Sequence, residues 1–454
     1  MKTILLIFFF VITTATSLAQ CWITIAIGPT HSLGIKSNGT LWAWGENSFG
    51  QLGDGTLIDK NIPIQIGTAS NWKTVAAGLE CSYAIKANGT LWTWGFNGFG
   101  QLGNGTNINV ILPTQIGTAT NWKTLDAVGY IIFGLKLDGT LWSCGINTEG
   151  ELGDGTTINR KEFIQVGTDF NWAQVSVSNS ATTFAVKTNG TLWAWGHNGF
   201  YGNGTLTDSL VPIQIGIASN WKSISAGEFH CLALKTNGTI WGWGFSNNGE
   251  LGLGNNSQVS FPVQIGTGTN WRDVDSGYTH STAIKNDGTL WACGQNIYGQ
   301  LGIGTINSSN IFLQIGTATN WAKIDATEYY TIALKTDGSL WSSGINYFGQ
   351  LGIGSNINST FLTPINCPEL SVEQDYDKFP FLISPNPATS ELSILTSGYK
   401  VIKKIKILDF TGKTILEQSS DFHKVQVENL ASGMYLLLMF SDEDKIFQQK
   451  FMKK

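Results

Sequence analysis

The chain repeats itself seven times. The string GTLW, or a close variant, sets Trp42, Trp92, Trp142, Trp193, Trp241, Trp291 and Trp341 at intervals of 48 to 51 residues. A second series places Trp22, Trp72, Trp122, Trp172, Trp221, Trp271 and Trp321. Two series that both count seven mean one supersecondary unit used seven times, and a unit that cannot bury its own apolar face must bury it against its neighbours.

Within a unit the local pattern is β throughout. Trp72 to Ala77, Ser82 to Ala87, Thr90 to Trp94 and Pro113 to Ile116 read as four short strands. Asn88-Gly89 joins the second to the third, and Asn-Gly or Asp-Gly recurs at that point in every unit, which predicts type I′ hairpins. Strand alternation puts Trp92 and Trp94 on one side, as it does Trp42 with Trp44. The second Trp of the pair becomes Cys144, Cys293 or Ser343 in three units, so large and small residues alternate where neighbouring sheets pack. Neither terminal unit looks like a cap, and a closed ring leaves only short strand edges. The expected fold is all-β: a seven-bladed β-propeller over 20–367, followed by a small β-sandwich tail over 379–454, with an acidic linker at 368–378.

Composition narrows the setting. Charged residues are 13% of the chain, while 54 Gly and 18 Trp suit short strands and turns around a large core. A net charge of -5 offers no basic stripe, which speaks against nucleic acid as partner. Residues 1–19 read as a signal peptide: Lys2, an apolar run from Ile4 to Ile12, and a small-x-small site at Ser17-Leu18-Ala19. No later segment approaches the ~20 apolar residues of a membrane helix. Leu18-Ala19-Gln20-Cys21 has a second reading as a lipoprotein box, against which stands the bulk of Gln20.

The run AAGLECSYAIKANGTLWTWGFNGFGQLGNGT resembles the regulator of chromosome condensation repeat, a family of seven-bladed propellers, and the likeness extends over about 22–367. The family's founding activity is guanine-nucleotide exchange on a nuclear GTPase, a partner that an exported chain would not meet. Other secreted bacterial members act by recognition, one of them by capping β-lactamases. The tail resembles the C-terminal sorting domain of the type IX secretion system at Pro385-Asn386-Pro387, Asp409 to Lys413 and Leu430 to Tyr435. That resemblance implies export by the secretion machinery to the outer cell surface or the medium. Of six cysteines, Cys81, Cys144, Cys231 and Cys293 fall in separate blades. Cys21 and Cys367 bracket the repeats, so ring closure predicts a disulfide between them.

Chemistry is sparse. Zinc-spaced cysteines, a helix with two His, a nucleophile elbow and a phosphate loop are all missing from the sequence. Gly98, Gly100 and Gly103 match a dinucleotide fingerprint, but in a loop with no helix behind it. His31, His230 and His280 each follow a turn glycine by three residues and read as turn-stabilising side chains; Glu149 and Glu151 read as a solvated loop. No catalytic residue, metal or cofactor is expected.

A binding face follows from topology. The start of each second strand and the end of each third lie at one edge, so two loops per blade share one face of the ring. Phe49, Phe99 and Phe348 recur there and read as packing. Phe96, Tyr130, Tyr201, Phe229, Phe245, Tyr278, Tyr329, Tyr330 and Tyr347 vary and are the candidate binding residues, because aromatics on loops of a rigid scaffold anchor interfaces. The expected function is recognition of an extracellular protein or glycan by a monomer, without turnover. A structural or adhesive surface protein and a propeller enzyme acting on a glycan are the alternatives.

Overall fold

The computed structural model describes residues 21–367, 381–385, 387–396, 402–409, 413–420, 422–441 and 446–454. The signal-peptide reading of 1–19, the linker at 368–378, Asn386 and the 410–412 part of the tail motif lie outside the described residues. Two compact units divide at Pro368 and Glu369.

The first unit holds seven four-stranded antiparallel sheets, each made of four consecutive strands paired in order. In the second blade these are Trp72–Ala77, Cys81–Lys86, Leu91–Gly95 and Val110–Ile116. The fold is the expected seven-bladed propeller. First strands surround a central channel, whose wall includes Ile25, Val75, Leu125, Val177, Ser225, Asp275 and Asp325. Fourth strands form the rim and leave Ile62, Leu112, Phe261 and Phe361 more than half exposed.

The hairpins differ from the type I′ expectation. Lys86 N–H donates to the Thr90 carbonyl at 3.0 Å and Gly89 N–H to the Lys86 carbonyl at 2.8 Å, which closes a three-residue loop. Gly89 has φ +78°, while Ala181 is the only non-glycine with positive φ among the described residues, so Asn88 is not left-handed. Its side chain explains why. Asn88 Oδ1 accepts the N–H and hydroxyl of Thr90 at 3.2 and 2.8 Å, and the Thr90 hydroxyl accepts the Trp92 indole N–H at 3.0 Å. Such an Asx turn holds Asn in an ordinary conformation and leaves the left-handed position to glycine. The Gly89 carbonyl also accepts Trp122 N–H of the next blade at 3.2 Å, and a Cβ on Gly89 would stand 2.0 Å from the Thr120 carbonyl oxygen.

A tryptophan pair holds each blade, and a further buried tryptophan lies beneath it in four of the seven. Trp72 and Trp92 meet edge to face at 5.7 Å, and Lys86 Nζ lies 4.6 and 3.7 Å from the two ring centres. A lysine stands over a tryptophan pair in the same way in all seven blades, from Lys36 to Lys335. Such cation–π contacts, partly buried in five blades and buried at Lys36 and Lys187, contribute about 0.5–2 kcal/mol each. Trp94 is fully buried and donates its indole N–H to the Gln51 carbonyl of the preceding blade at 2.8 Å. Where that tryptophan is replaced, the fourth strand refills the space: Phe163 packs beside Cys144, Phe312 beside Cys293 and Leu362 beside Ser343, each against a loop glycine of the preceding blade.

The ring closes without exchanging a strand between sheets. Trp22 N–H donates to Gly338 of the last blade at 3.1 Å, as each leading Trp does to the blade before it. Cys21 and Cys367 form the expected disulfide, with Cα atoms 6.2 Å apart. The second unit is a small sandwich. A sheet of Phe381–Ser384, Glu391–Thr396 and Lys424–Gln426 faces one of Thr414–Gln418, Ile402–Leu408, Gly433–Ser441 and Ile446–Lys453. Ile394, Ile405, Val425, Leu437 and Phe451 fill its core.

Candidate functional site

Register places the expected face. His31 pairs with Gly45 and Cys81 with Gly95, so the turn after each first strand and the long loop after each third strand emerge together. Aromatic side chains gather on this face in three patches. Phe96 packs on Phe49 at 5.1 Å and on Tyr130 at 5.3 Å, with Phe99 against both Phe96 and Tyr130. The Tyr130 hydroxyl donates to Glu80 at 3.2 Å. Tyr329 packs on Tyr278 at 5.7 Å and on Tyr298 at 5.2 Å, and Tyr298 extends this patch to Tyr347. Phe229 and Phe245, 5.8 Å apart, form the third. Phe229 is 44% and Tyr347 58% exposed, so these patches present ring area to solvent.

Two of the nine candidate residues do not belong to the face. Tyr330 is fully buried, because neighbours in an extended chain point to opposite sides and Tyr329 takes the outward one. Its hydroxyl donates to the Gly28 and His31 carbonyls at 2.6 and 2.9 Å, which ties the last blade to the first. Tyr201 is also fully buried. In the shortened loop of the fourth blade it takes the place of the usual leucine: its N–H donates to Asn198 Oδ1 at 3.0 Å, as Leu52 N–H does to Asn47, and its hydroxyl donates to the Gly196 carbonyl.

The channel carries the chemistry that sequence reading missed. The fourth residue after each leading Trp is, in blade order, Ala26, Ala76, Asp126, Ser176, Ser225, Asp275 and Asp325. The polar ones accept a backbone N–H from the next blade: Asp126 from Val177 at 3.0 Å, Ser176 from Ala226 at 3.1 Å, Ser225 from Ser276 at 2.9 Å, Asp275 from Ala326 at 2.6 Å and Asp325 from Ile27 at 3.1 Å. Burial pushes Asp126 and Asp275 up to about 7, and burial together with Asp275 holds Asp325 well above the usual carboxylate range. At the mouth, the seventh residues after the leading Trp of blades five to seven are Glu228, Tyr278 and Glu328. Burial pushes Glu228 up to about 6; the Tyr278 hydroxyl opposes that shift and Glu328 adds to it. A count of polar residues at fixed distance from each leading Trp would have found both rings.

The histidines are not turn side chains. His31, His230 and His280 are buried, and each Nε2 makes a hydrogen bond across to the next blade, with Ser82, Ser281 and Thr331 at 2.8, 2.8 and 2.9 Å. Burial pulls all three down to about 3, so they are neutral blade-to-blade ties. Glu151 is likewise buried rather than solvated and accepts Glu149 N–H at 2.7 Å, as Gln51 and Gln101 do from Phe49 and Phe99. Glu149 is exposed, with His197 and Asp208. The ligand atoms of these three lie within 4.8 Å of one another, but Asp208 already accepts Asn198 N–H at 2.7 Å.

Comparisons with known proteins agree with this architecture. The RCC1-like domain model matches residues 124–380, and regulator of chromosome condensation (RCC1) repeat models match 22–51, 38–85, 72–101 and 88–128. The secretion system C-terminal sorting domain matches 382–454, which marks the protein for export to the cell surface or beyond. No curated protein matches the chain in sequence. Among solved structures, human WBSCR16 is similar at 20% identity and a TM-score of 0.65, over 74% of this chain and 95% of that one. Prp20p from Saccharomyces cerevisiae, described for its binding to Gsp1p and histones, is similar at 19% identity and a TM-score of 0.65, over 80% and 91%. At these identities the likeness establishes the fold alone. Among the described residues no helix is long and apolar enough to cross a membrane.

Proposed function

The chain belongs to the RCC1-like domain family, and we propose that this member is an exported recognition protein that holds an extracellular protein or glycan on its loop face without chemical turnover. One observation carries the reading: three patches of partly exposed rings stand on one face of a ring whose blades are locked by buried tryptophans. Rigid aromatic side chains bring large contact area with little conformational entropy to lose, which is how hot spots form. Phe96, Tyr130, Phe229, Phe245, Tyr278, Tyr329 and Tyr347 are the contact residues of this proposal. The sorting tail supports the extracellular setting and the contact with secretion machinery.

The test compares the full chain with a Phe96→Ala, Phe229→Ala, Tyr329→Ala variant, one substitution per patch. Both are immobilised and offered extracellular proteins and a glycan array, with circular dichroism as the check on folding. Loss of capture by the folded variant is the expected result. Equal capture by both proteins would remove the function from this face.

A further inference from the structure

We infer that the channel mouth formed by Glu228, Tyr278 and Glu328 receives one ammonium or guanidinium group, supplied by a lysine or arginine side chain of the protein bound to the loop face. The inference rests on the recognition reading and deepens it, because it selects a protein over a glycan that lacks a cation.

The channel that opens at this mouth has a volume of about 210 Å³ over its whole lining. That is below the roughly 300–1,000 Å³ of pockets that take drug-sized ligands, so its natural occupant is a single side chain. Asp126, Glu228, Asp275, Asp325 and Glu328 are among its lining residues, and no Lys, Arg or His is. The aspartates have their backbone donors. Glu228 is different: it is only 8% exposed, it lines the cavity, and its Oε2 accepts no hydrogen bond from the described residues, although the nearby Tyr278 hydroxyl favours its charged form. A buried carboxylate oxygen without a donor is costly, and a cation entering from the face would remove that cost. Glu328 stands at the same position two blades on, with Tyr278 between them. The Tyr278 and Tyr329 rings, 5.7 Å apart, offer π-faces beside the carboxylates, the usual surroundings of a bound organic cation.

Charge is also sorted along the channel. The first or second residues after the leading Trp include five cations, Lys73, Lys123, Lys222, Arg272 and Lys323, against one acid, Asp273, at the far ends of the same inner strands. A cation is therefore drawn to the loop face and repelled from the opposite one, which gives a partner one side to approach.

The probe is the peptide acetyl-Gly-Arg-Gly-amide, titrated into the full chain by saturation-transfer NMR beside its neutral citrulline analogue and putrescine. Millimolar binding of the arginine peptide, about tenfold weaker for citrulline and for Glu228→Gln with Glu328→Gln, is the expected result. Indifference to citrulline, or unchanged affinity of a folded double variant, overturns the inference and leaves the recognition reading standing. Putrescine binding as tightly as the peptide would overturn the side chain as source of the cation. A Phe96→Ala, Phe229→Ala protein keeps this site intact, so unchanged partner capture by it, with peptide binding normal, counts against the recognition face alone. Because removing a buried charge with one oxygen unbonded relieves the fold, the Gln variants are expected to melt no lower than the parent, and Glu328→Gln alone serves if the double variant misfolds.

Discussion

Replacing Asp126 by Asn should make the propeller more stable, and increasingly so as pH rises. The carboxyl titrates near 3.9 in an unfolded chain and at about 7 in the channel. A raised carboxyl contributes its full share to stability below the unfolded value and loses it as pH climbs through about 7. At about pH 4.5 Asp126 is protonated in the fold, and Asn is its near isostere, able to accept the Val177 N–H through its amide oxygen. Above about pH 7 the wild type holds a charge there that Asn does not. The full shift corresponds to roughly 4 kcal/mol at 1.36 kcal/mol per unit. Asp126 opens partly onto the channel, and screening by water there reduces this to about 2 kcal/mol. Guanidinium denaturation of both proteins at about pH 4.5, 6 and 8 measures the difference. The comparison is needed because the wild type alone conceals the effect: His31, His230 and His280, held down to about 3, give stability of the opposite sign as pH rises toward 6.5. A stability difference that stays constant with pH, or grows toward acid, would refute the buried-carboxyl argument.

Three other substitutions test the frame. Cys21→Ser with Cys367→Ser opens a cross-link spanning 346 residues and should lower stability by about 4–5 kcal/mol in denaturant titration, with hydrogen exchange rising first in blades one and seven. Lys86→Met keeps the aliphatic stem between Trp72 and Trp92 but removes the cation, at an expected cost of about 1 kcal/mol in the same titration. Tyr330→Phe takes this donor from the Gly28 carbonyl, while the His31 carbonyl keeps the Gly28 N–H, and should lower the melting temperature by an amount set by a loss of about 1–3 kcal/mol.

The architecture was legible because it is periodic. Each blade restates the same Trp spacing, so seven imperfect copies outvote any local ambiguity, and the closing disulfide follows from counting ends. The hairpin type was misread because Asn-Gly fits two turns; the Thr90 hydroxyl, accepting from Trp92 and donating to Asn88, decides between them. The face was partly legible. Loop position separated Phe96 from Trp94, but position alone could not say that Tyr330 turns inward or that Tyr201 fills the gap left by a shortened loop. The channel carboxylates were passed over for a different reason. Asp126, Asp275 and Asp325 are far apart in sequence, resemble no catalytic motif, and acquire their chemistry only when the ring brings seven equivalent positions around one axis.

Sheets built from consecutive strands set a timetable for assembly. Blade one has all four of its strands once residue 65 is made, yet the surface of Trp22, Trp42 and Trp44 packs on Tyr330, Ile332 and Leu334, which come some 300 residues later. At synthesis rates of roughly 5–20 residues per second, that flank waits on the order of tens of seconds for its partner. Until the seventh blade arrives the growing protein is an open arc with an apolar edge at each end, and the last 50 residues of the propeller cover both edges at once, the open flank of blade one and that of blade six. Truncations within blade seven should therefore behave as aggregation-prone arcs, whatever the stability of the six blades they leave intact.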